Sequence, residues 1–201
     1  ALALEIRAAD PNRAANTVIL EPSAAENLRL EFVEAEETTF EETIFALGEI
    51  VSARYRISRY LGQGAAGEVY GAEDLHLGSR VALKVLRPAA SSDPQSIERF
   101  KREILLARRV SHPNVCRIFD LGLHEVRSSE SGAHQALLYL TMEWLEGETL
   151  AHRIQEAGTF DEGPAIAVVR QLCSGLAAAH DAGVVHRDFK SSNILLVPSP
   201  D

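Results

Sequence analysis

The sequence predicts an α+β fold in two lobes, and three observations carry that reading. Residues 55–86 hold three strand-like runs separated by glycine-bearing turns. A single 3.6-period helical pattern follows, then two more apolar strand runs. After Gly147 the periodicity becomes helical for about thirty residues. Strands and helices are therefore grouped, not alternated as βαβ units would be, which excludes a parallel doubly wound sheet.

Each element has its own signal. Tyr55–Leu61 alternates apolar and polar residues, Glu68–Glu73 is a second strand, and Arg80–Leu86 is a mostly apolar third, giving an antiparallel meander. Pro88 and Ser91-Ser92-Asp93-Pro94 end the sheet segment. Ser92 or Asp93 caps a helix with Pro94 in its first turn. Ile97, Phe100, Ile104 and Leu105 are expected on one face of that helix, which runs to about Val110. Val115–Phe119 and Leu137–Met142 read as strands, with the polar stretch around Ser128–Gly132 as the loop between them. Thr149–Ala157 is a short helix. Pro164–Ala182 is a longer one, with Ile166, Val169, Leu172 and Leu176 on one face and Gly183 as its C-cap. Ile194–Val197 is a short closing strand.

Charge divides the chain at the same place as pattern. The net charge is −9, and 11 of the 29 acidic residues fall in the first 50 positions beside only three basic ones. Residues 1–53 read as an acidic extension whose composition permits disorder. Residues 54–201 read as the folded domain, with a first lobe at 54–146 and part of a second at 147–201. Nothing in this distribution resembles a nucleic-acid-binding surface, and no run reaches the ~18 apolar residues that span a bilayer. Cys116 and Cys173 supply no disulfide framework, so a reducing, cytoplasmic setting is expected. The remaining histidines show no metal-ligand spacing. Within the extension, Glu36-Glu37-Thr38-Thr39-Phe40 is echoed by Glu41-Glu42-Thr43-Ile44-Phe45. This repeat reads either as a solvated acidic tail or as a phospho-acceptor segment, with phosphate on Thr38, Thr39 or Thr43 read by an Arg-lined partner.

Three constellations carry chemistry. Gly62-Gln63-Gly64-Ala65-Ala66-Gly67-Glu68-Val69 can bring backbone close to phosphates because glycine has no Cβ to clash. Dinucleotide-binding folds use a similar pattern, but there the last glycine opens a helix; here Glu68-Val69-Tyr70 continues as strand. Taken alone, the pattern also suits a plain glycine-rich hairpin. Lys84, in Val81-Ala82-Leu83-Lys84, is an ammonium in an apolar strand and needs a partner. Glu103 on the following helix is the natural candidate. His186-Arg187-Asp188-Phe189-Lys190-Ser191-Ser192-Asn193 groups a carboxylate, an ammonium and an amide within six residues. Those groups can accept a proton from a hydroxyl, neutralise a phosphoryl oxygen and hold a metal ion.

Together with His112-Pro113-Asn114-Val115 and Tyr139-Leu140-Thr141-Met142-Glu143-Trp144-Leu145-Glu146-Gly147, these motifs resemble a eukaryotic-like serine/threonine protein kinase of the bacterial type, from about Tyr55 onward. The resemblance implies a protein-kinase-like fold, with an antiparallel first lobe carrying one long helix. It implies ATP and Mg²⁺ as cofactors and Ser/Thr-bearing proteins as substrates. It places Leu61, Gly62, Gly64, Gly67 and Val69 over the nucleotide, with Ala82 also above the adenine and Leu195 below. It makes Met142 the gatekeeper and sets Glu143 and Leu145 on the adenine edge. Lys84 and Glu103 would hold the α- and β-phosphates. Asp188 would be the catalytic base, Lys190 would stabilise the transferring phosphoryl group, and Asn193 would bind Mg²⁺. Arg187 would pair with a phosphorylated activation loop, and His186 would orient backbone. Phe189, where the family usually has Leu, and Ser191, often Pro, are departures that leave the chemistry intact.

One family element is missing from the 201 residues: no Asp-Phe-Gly follows Asn193. A chain without it, without the activation segment and without the rest of the helical lobe is expected to be inactive and to fold poorly alone. The absent element also opens a second reading, a pseudokinase or regulatory fragment that binds nucleotide or partner without turnover. A dinucleotide-dependent oxidoreductase rests on the glycine pattern alone.

Overall fold

The computed structural model describes residues 16–20, 43–64, 67–86, 94–127 and 134–198. Its main sheet has six strands: β2 (Ile50–Val51), β3 (Tyr55–Gly64), β4 (Gly67–Asp74), β5 (Ser79–Leu86), β6 (Ile118–Arg127) and β7 (His134–Glu143). Their spatial order is β2-β3-β4-β5-β7-β6, antiparallel throughout. Helix α1 (Pro94–Ala107) connects β5 to the β6–β7 hairpin. A second, three-stranded sheet sets β9 (Ile194–Pro198) between β8 (Glu148–Thr149) and β1 (Asn16–Leu20). Helices α2 (Leu150–Ala157) and α3 (Glu162–Asp181) lie in the second lobe.

The main sheet is buried on both faces along most of β4 and β5, and there even the charged residues Glu68, Asp74 and Lys84 are buried. Val69, Ala82, Leu140 and Met142 point into a core shared with α1 residues Ile104 and Ala107, with α3 and with β9. Tyr70, Ala72, Val81, Leu83, Val85, Leu137 and Tyr139 point the other way, into a second core closed by Phe45, Val51, Tyr55 and Ile57. Phe45 and Val51 lie before residue 54, on the acidic side of the expected boundary, yet each is almost completely buried.

Several expectations are corrected by packing. Leu105 is 59% exposed while Ile104 is fully buried; adjacent helical residues sit about 100° apart, and Ala107 takes the inward place. The side chains of Ile97, Phe100 and Glu103 lie outside the described residues, as do Ser92 and Asp93. On α3 the inward stripe is Val168, Leu172, Gly175 and Ala179. Ile166 and Val169 face outward at 44% and 54% exposure. Only Leu172 is buried as expected, with Leu176 packed at the edge of the core. The strand expected over Val115–Phe119 instead begins at Ile118 and runs to Arg127. Its polar residues alternate on an edge strand with one wet face, and pairing with apolar β7 extends it past the point where composition suggests a loop.

Helix ends follow the sequence closely. Thr149 caps α2 by accepting the His152 N–H at 3.0 Å. Helix α3 ends at cap Ala182, and Gly183 follows with φ +76°. The Gly183 N–H bonds His180 O and the Val184 N–H bonds Ala179 O, both at 2.9 Å. This double bond pattern is the Schellman motif, and it aims the chain directly into Val184-Val185-His186.

Candidate active site

The site lies where β9 meets the main sheet. Asp188, Lys190 and Asn193 are brought together by a tight loop and the short 3-10 turn Ser191–Asn193. Arg187 adopts φ +61°, a left-handed conformation unusual for a non-glycine residue, and this reverses the chain ahead of Asp188. The Asp188 N–H bonds His186 O at 2.8 Å and approaches His186 Nδ1 at 3.3 Å. His186 itself is 2% exposed and packs edge-on against Phe189 at 5.5 Å. It supports the loop from beneath.

The Asn193 amide nitrogen donates to both Asp188 O (2.9 Å) and Asp188 Oδ2 (3.0 Å). Lys190 Nζ lies 2.9 Å from the same carboxylate oxygen. Asp188 and Lys190 remain about a quarter to a third exposed, whereas Asn193 is buried. Because the Asn193 nitrogen is committed to Asp188, its oxygen is the atom left to meet a cation.

The apolar half of the site is equally well assembled. Val69, Ala82, Met142 and Leu195 share one buried cluster, with Leu61 and Leu145 packed against it. Register explains this: Ala82 lies opposite both Gly71 on β4 and Met142 on β7, and Val69 lies opposite Lys84. Lys84 is 2% exposed, an ammonium deep in the sheet beside Leu140 of β7. Glu143 follows Met142 at the end of β7 and donates its N–H to Arg117 O at 2.9 Å. Gly147 passes so close to β9 that a Cβ there would collide with the Leu196 carbonyl oxygen. The connection from β7 to β8, residues 144–147, is the hinge between the lobes, and it is thus pinned to the strand that carries Leu195. At the other side of the cleft, Gly67 has φ +153°, and a Cβ there would strike Val85 O. Gly62 and Gly64 lie on β3, opposite Val69 and Gly67; Ala65 and Ala66 lie outside the described residues.

The two lobes are also joined behind the cleft. His112 Nδ1 accepts the Asn114 N–H at 3.1 Å and His112 Nε2 meets Ser174 Oγ of α3 at 3.1 Å. Asn114 Nδ2 donates to Gln171 Oε1 at 3.0 Å. Burial holds the His112 imidazole below the usual histidine range. Sequence reasoning did not single out Phe45, Glu68, Tyr70 or Trp144. Glu68 sits directly after Gly67 yet is only 3% exposed, and one of its donors, the Ile44 N–H, comes from a segment that composition assigns to a solvated tail. Among the described residues no group of His, Cys, Asp and Glu has the makings of a metal site, and no helix is long and apolar enough to cross a membrane.

The site thus groups a glycine-bearing hairpin, a buried apolar cluster, a buried lysine and an Asp–Lys–Asn cluster. The protein kinase domain family matches residues 55–201, and the chain belongs to that family. It is 41% identical over 150 residues to the serine/threonine-protein kinase pkn2 of Myxococcus xanthus, covering 75% of this chain and 17% of that protein. It is 37% identical over 153 residues to PknA of Mycobacterium tuberculosis, covering 76% and 34%. The chain therefore spans about a third or less of these relatives. The crystal structure of the Mycobacterium tuberculosis PknI kinase domain superposes with a TM-score of 0.63 at 29% identity, covering 76% of this chain and 58% of that one. The fold is protein-kinase-like α+β, and the family to which it belongs uses ATP.

Proposed function

We propose that this chain supplies the nucleotide grip and the catalytic loop of a protein serine/threonine kinase that transfers the γ-phosphoryl group of ATP to protein hydroxyls. The observation that carries this reading is the Asp188–Lys190–Asn193 cluster, together with the apolar cluster of Val69, Ala82, Met142 and Leu195. Adenine would lie against these apolar side chains, with the Glu143 carbonyl and the Leu145 N–H on its edge. Lys84, with Glu103 as its proposed partner, holds phosphate oxygens. Asp188 orients the substrate hydroxyl and takes its proton as the new O–P bond forms and the bond to ADP breaks. Lys190, already on the Asp188 carboxylate, is placed to neutralise charge on the transferring group. The donor set suits Mg²⁺, a hard cation that prefers oxygen ligands, through the Asn193 side-chain oxygen; bound there it would offset phosphate charge. Rate would come from positioning and charge neutralisation rather than from a covalent enzyme intermediate.

A second reading, for these 201 residues by themselves, is a nucleotide-binding module without turnover. Two measurements separate them. Calorimetric titration with ADP, with and without Mg²⁺, tests the grip on the chain as it stands. Phosphoryl transfer to a mixed protein substrate by a form extended along its gene, compared with its Asp188→Asn variant, tests turnover. Equal transfer by both forms would refute the mechanism.

A cytoplasmic setting agrees with Cys116 and Cys173, neither of which forms a disulfide among the described residues. The acidic repeat is proposed as a phospho-acceptor segment read by an Arg-lined partner. Thr38 and Thr39 lie outside the described residues, while the Thr43 hydroxyl donates to Phe45 O at 3.3 Å. Mass spectrometry after incubation with active kinase checks it, and unmodified threonines would count against it.

A further inference from the structure

The segment just before the kinase-family match is built into the sheet. The Ile44 N–H donates to Glu68 Oε2 at 2.9 Å. The Phe45 N–H donates to the Tyr70 hydroxyl at 3.1 Å, and that hydroxyl in turn donates to Glu68 Oε2. The Phe45 ring, 1% exposed, packs on Tyr70 and on His124, each at 5.6 Å. Gly48 and Glu49 then bond Ile57 on β3 through backbone, at 2.8 and 2.9 Å.

Glu68 connects this segment to the cleft. It is the residue between Gly67 and Val69, at the base of the glycine hairpin, and its carboxylate is buried. Among the described residues its side chain has two donors, the Ile44 N–H and the Tyr70 hydroxyl. Burying a carboxylate is costly unless it is hydrogen-bonded. If residues 44–45 withdraw, Glu68 keeps only the Tyr70 hydroxyl as a donor, Tyr70 loses its contact with Phe45, and β4 readjusts beside Gly67, where the backbone lies against Val85 O too closely for a Cβ. The docking of Phe45 and the position of the hairpin are thereby one equilibrium.

We propose that Thr43–Glu49 is a positioning latch for the glycine hairpin, acting through Glu68 and Tyr70 to set nucleotide affinity. The inference rests on the reading that this hairpin covers a nucleotide. A positioning network of this kind modulates coupling by roughly 2- to 30-fold in affinity.

The test uses the 201-residue chain and two readouts: affinity for a fluorescent ADP analogue, and amide hydrogen exchange of Gly67–Tyr70. Phe45→Ala is expected to weaken affinity within that range and to speed exchange at 67–70, and Phe45→Leu to restore most of both. Val51→Ala, in the same core but away from Glu68, should lower stability and leave affinity unchanged. If Phe45→Ala does not fold, Tyr70→Phe keeps the ring and removes only the hydroxyl, and the same two shifts are expected. Unchanged affinity and exchange in Phe45→Ala, or in Tyr70→Phe where that variant stands in, would overturn the latch, as would an equal affinity loss in Val51→Ala. If the parent chain binds no nucleotide, the cleft reading fails. Exchange at 67–70 then decides alone whether the latch holds the hairpin.

Discussion

Asn193 gives both hydrogens of its side-chain amide to Asp188, one to the main-chain carbonyl and one to the carboxylate. The bond to the carbonyl fixes the loop, and the bond to the carboxylate fixes the rotamer of the proposed base. Asn193→Ala removes both at once. In the extended form, phosphoryl transfer should fall by at least about 100-fold, while ADP affinity measured without Mg²⁺ should stay within about threefold of the parent, a change near 0.7 kcal/mol. A variant that kept full transfer would show that Asp188 needs no such support.

Gly147 touches β9 by backbone alone. Gly147→Ala drives a methyl group into the Leu196 carbonyl oxygen, so hinge and β9 must separate. The expected cost is about 1–3 kcal/mol. For a chain of this size that corresponds to a fall of roughly 2–12 °C in the melting midpoint, read by circular dichroism. An unshifted melt would mean that the hinge is looser than its contacts indicate.

Asp74 is almost fully buried and is held by Arg54 and by the N–H groups of His76 and Leu77. The Arg54 hydrogen bond outweighs burial and keeps its carboxyl below the usual range. Arg54→Ala leaves that carboxylate without its cation, at a cost of about 1–3 kcal/mol. Arg56→Ala, which breaks an exposed pair with Glu73, should cost no more than about 0.5 kcal/mol. Chemical denaturation of the two variants checks the contrast.

Acid should destabilise the fold in two stages. The folded His112 pKa is depressed, so above the ordinary value near 6.5 the two states bind protons alike. Below it the unfolded chain takes up a proton that the folded one resists, and stability falls. Asp74 is also depressed, so its contribution is intact above its ordinary value of 3.8 and is lost as pH drops below that. Unfolding midpoints measured from pH 7.5 to 4.5 should decline, and His112→Gln should flatten the decline between pH 6.5 and 5. An equally steep decline in that variant would assign the effect elsewhere.

The meander, the catalytic loop and the helix caps were legible because each is specified locally, by alternation, by residue spacing, or by Thr149 and Gly183 at helix ends. The grouping of Val69, Ala82, Met142 and Leu195 was legible position by position because strand register repeats motif spacing. What escaped depends on long-range partners. Composition makes Glu68 a surface residue, and it becomes a buried one through Ile44 and Tyr70. Phe45 ends an acidic repeat, and its burial follows from a sheet face that nothing nearby in sequence announces. Ile166 and Val169 satisfied a helical period one step away from the stripe that packs, because two overlapping apolar stripes run along α3 and only tertiary contact chooses between them.

The pairing of β1 with β9 has a consequence in time. Leu20 meets Ile194, so the two strands enclose almost the whole chain. During synthesis β1 leaves the ribosome about 170 residues ahead of β9 and waits for its partner, for roughly 10–40 s at about 5–20 residues per second. Closing so long a loop cannot nucleate folding, since the entropy of bringing its ends together must be met before any contact compensates it. The β1–β9 ladder is accordingly the last seam to close on a domain already formed, and the first to reopen.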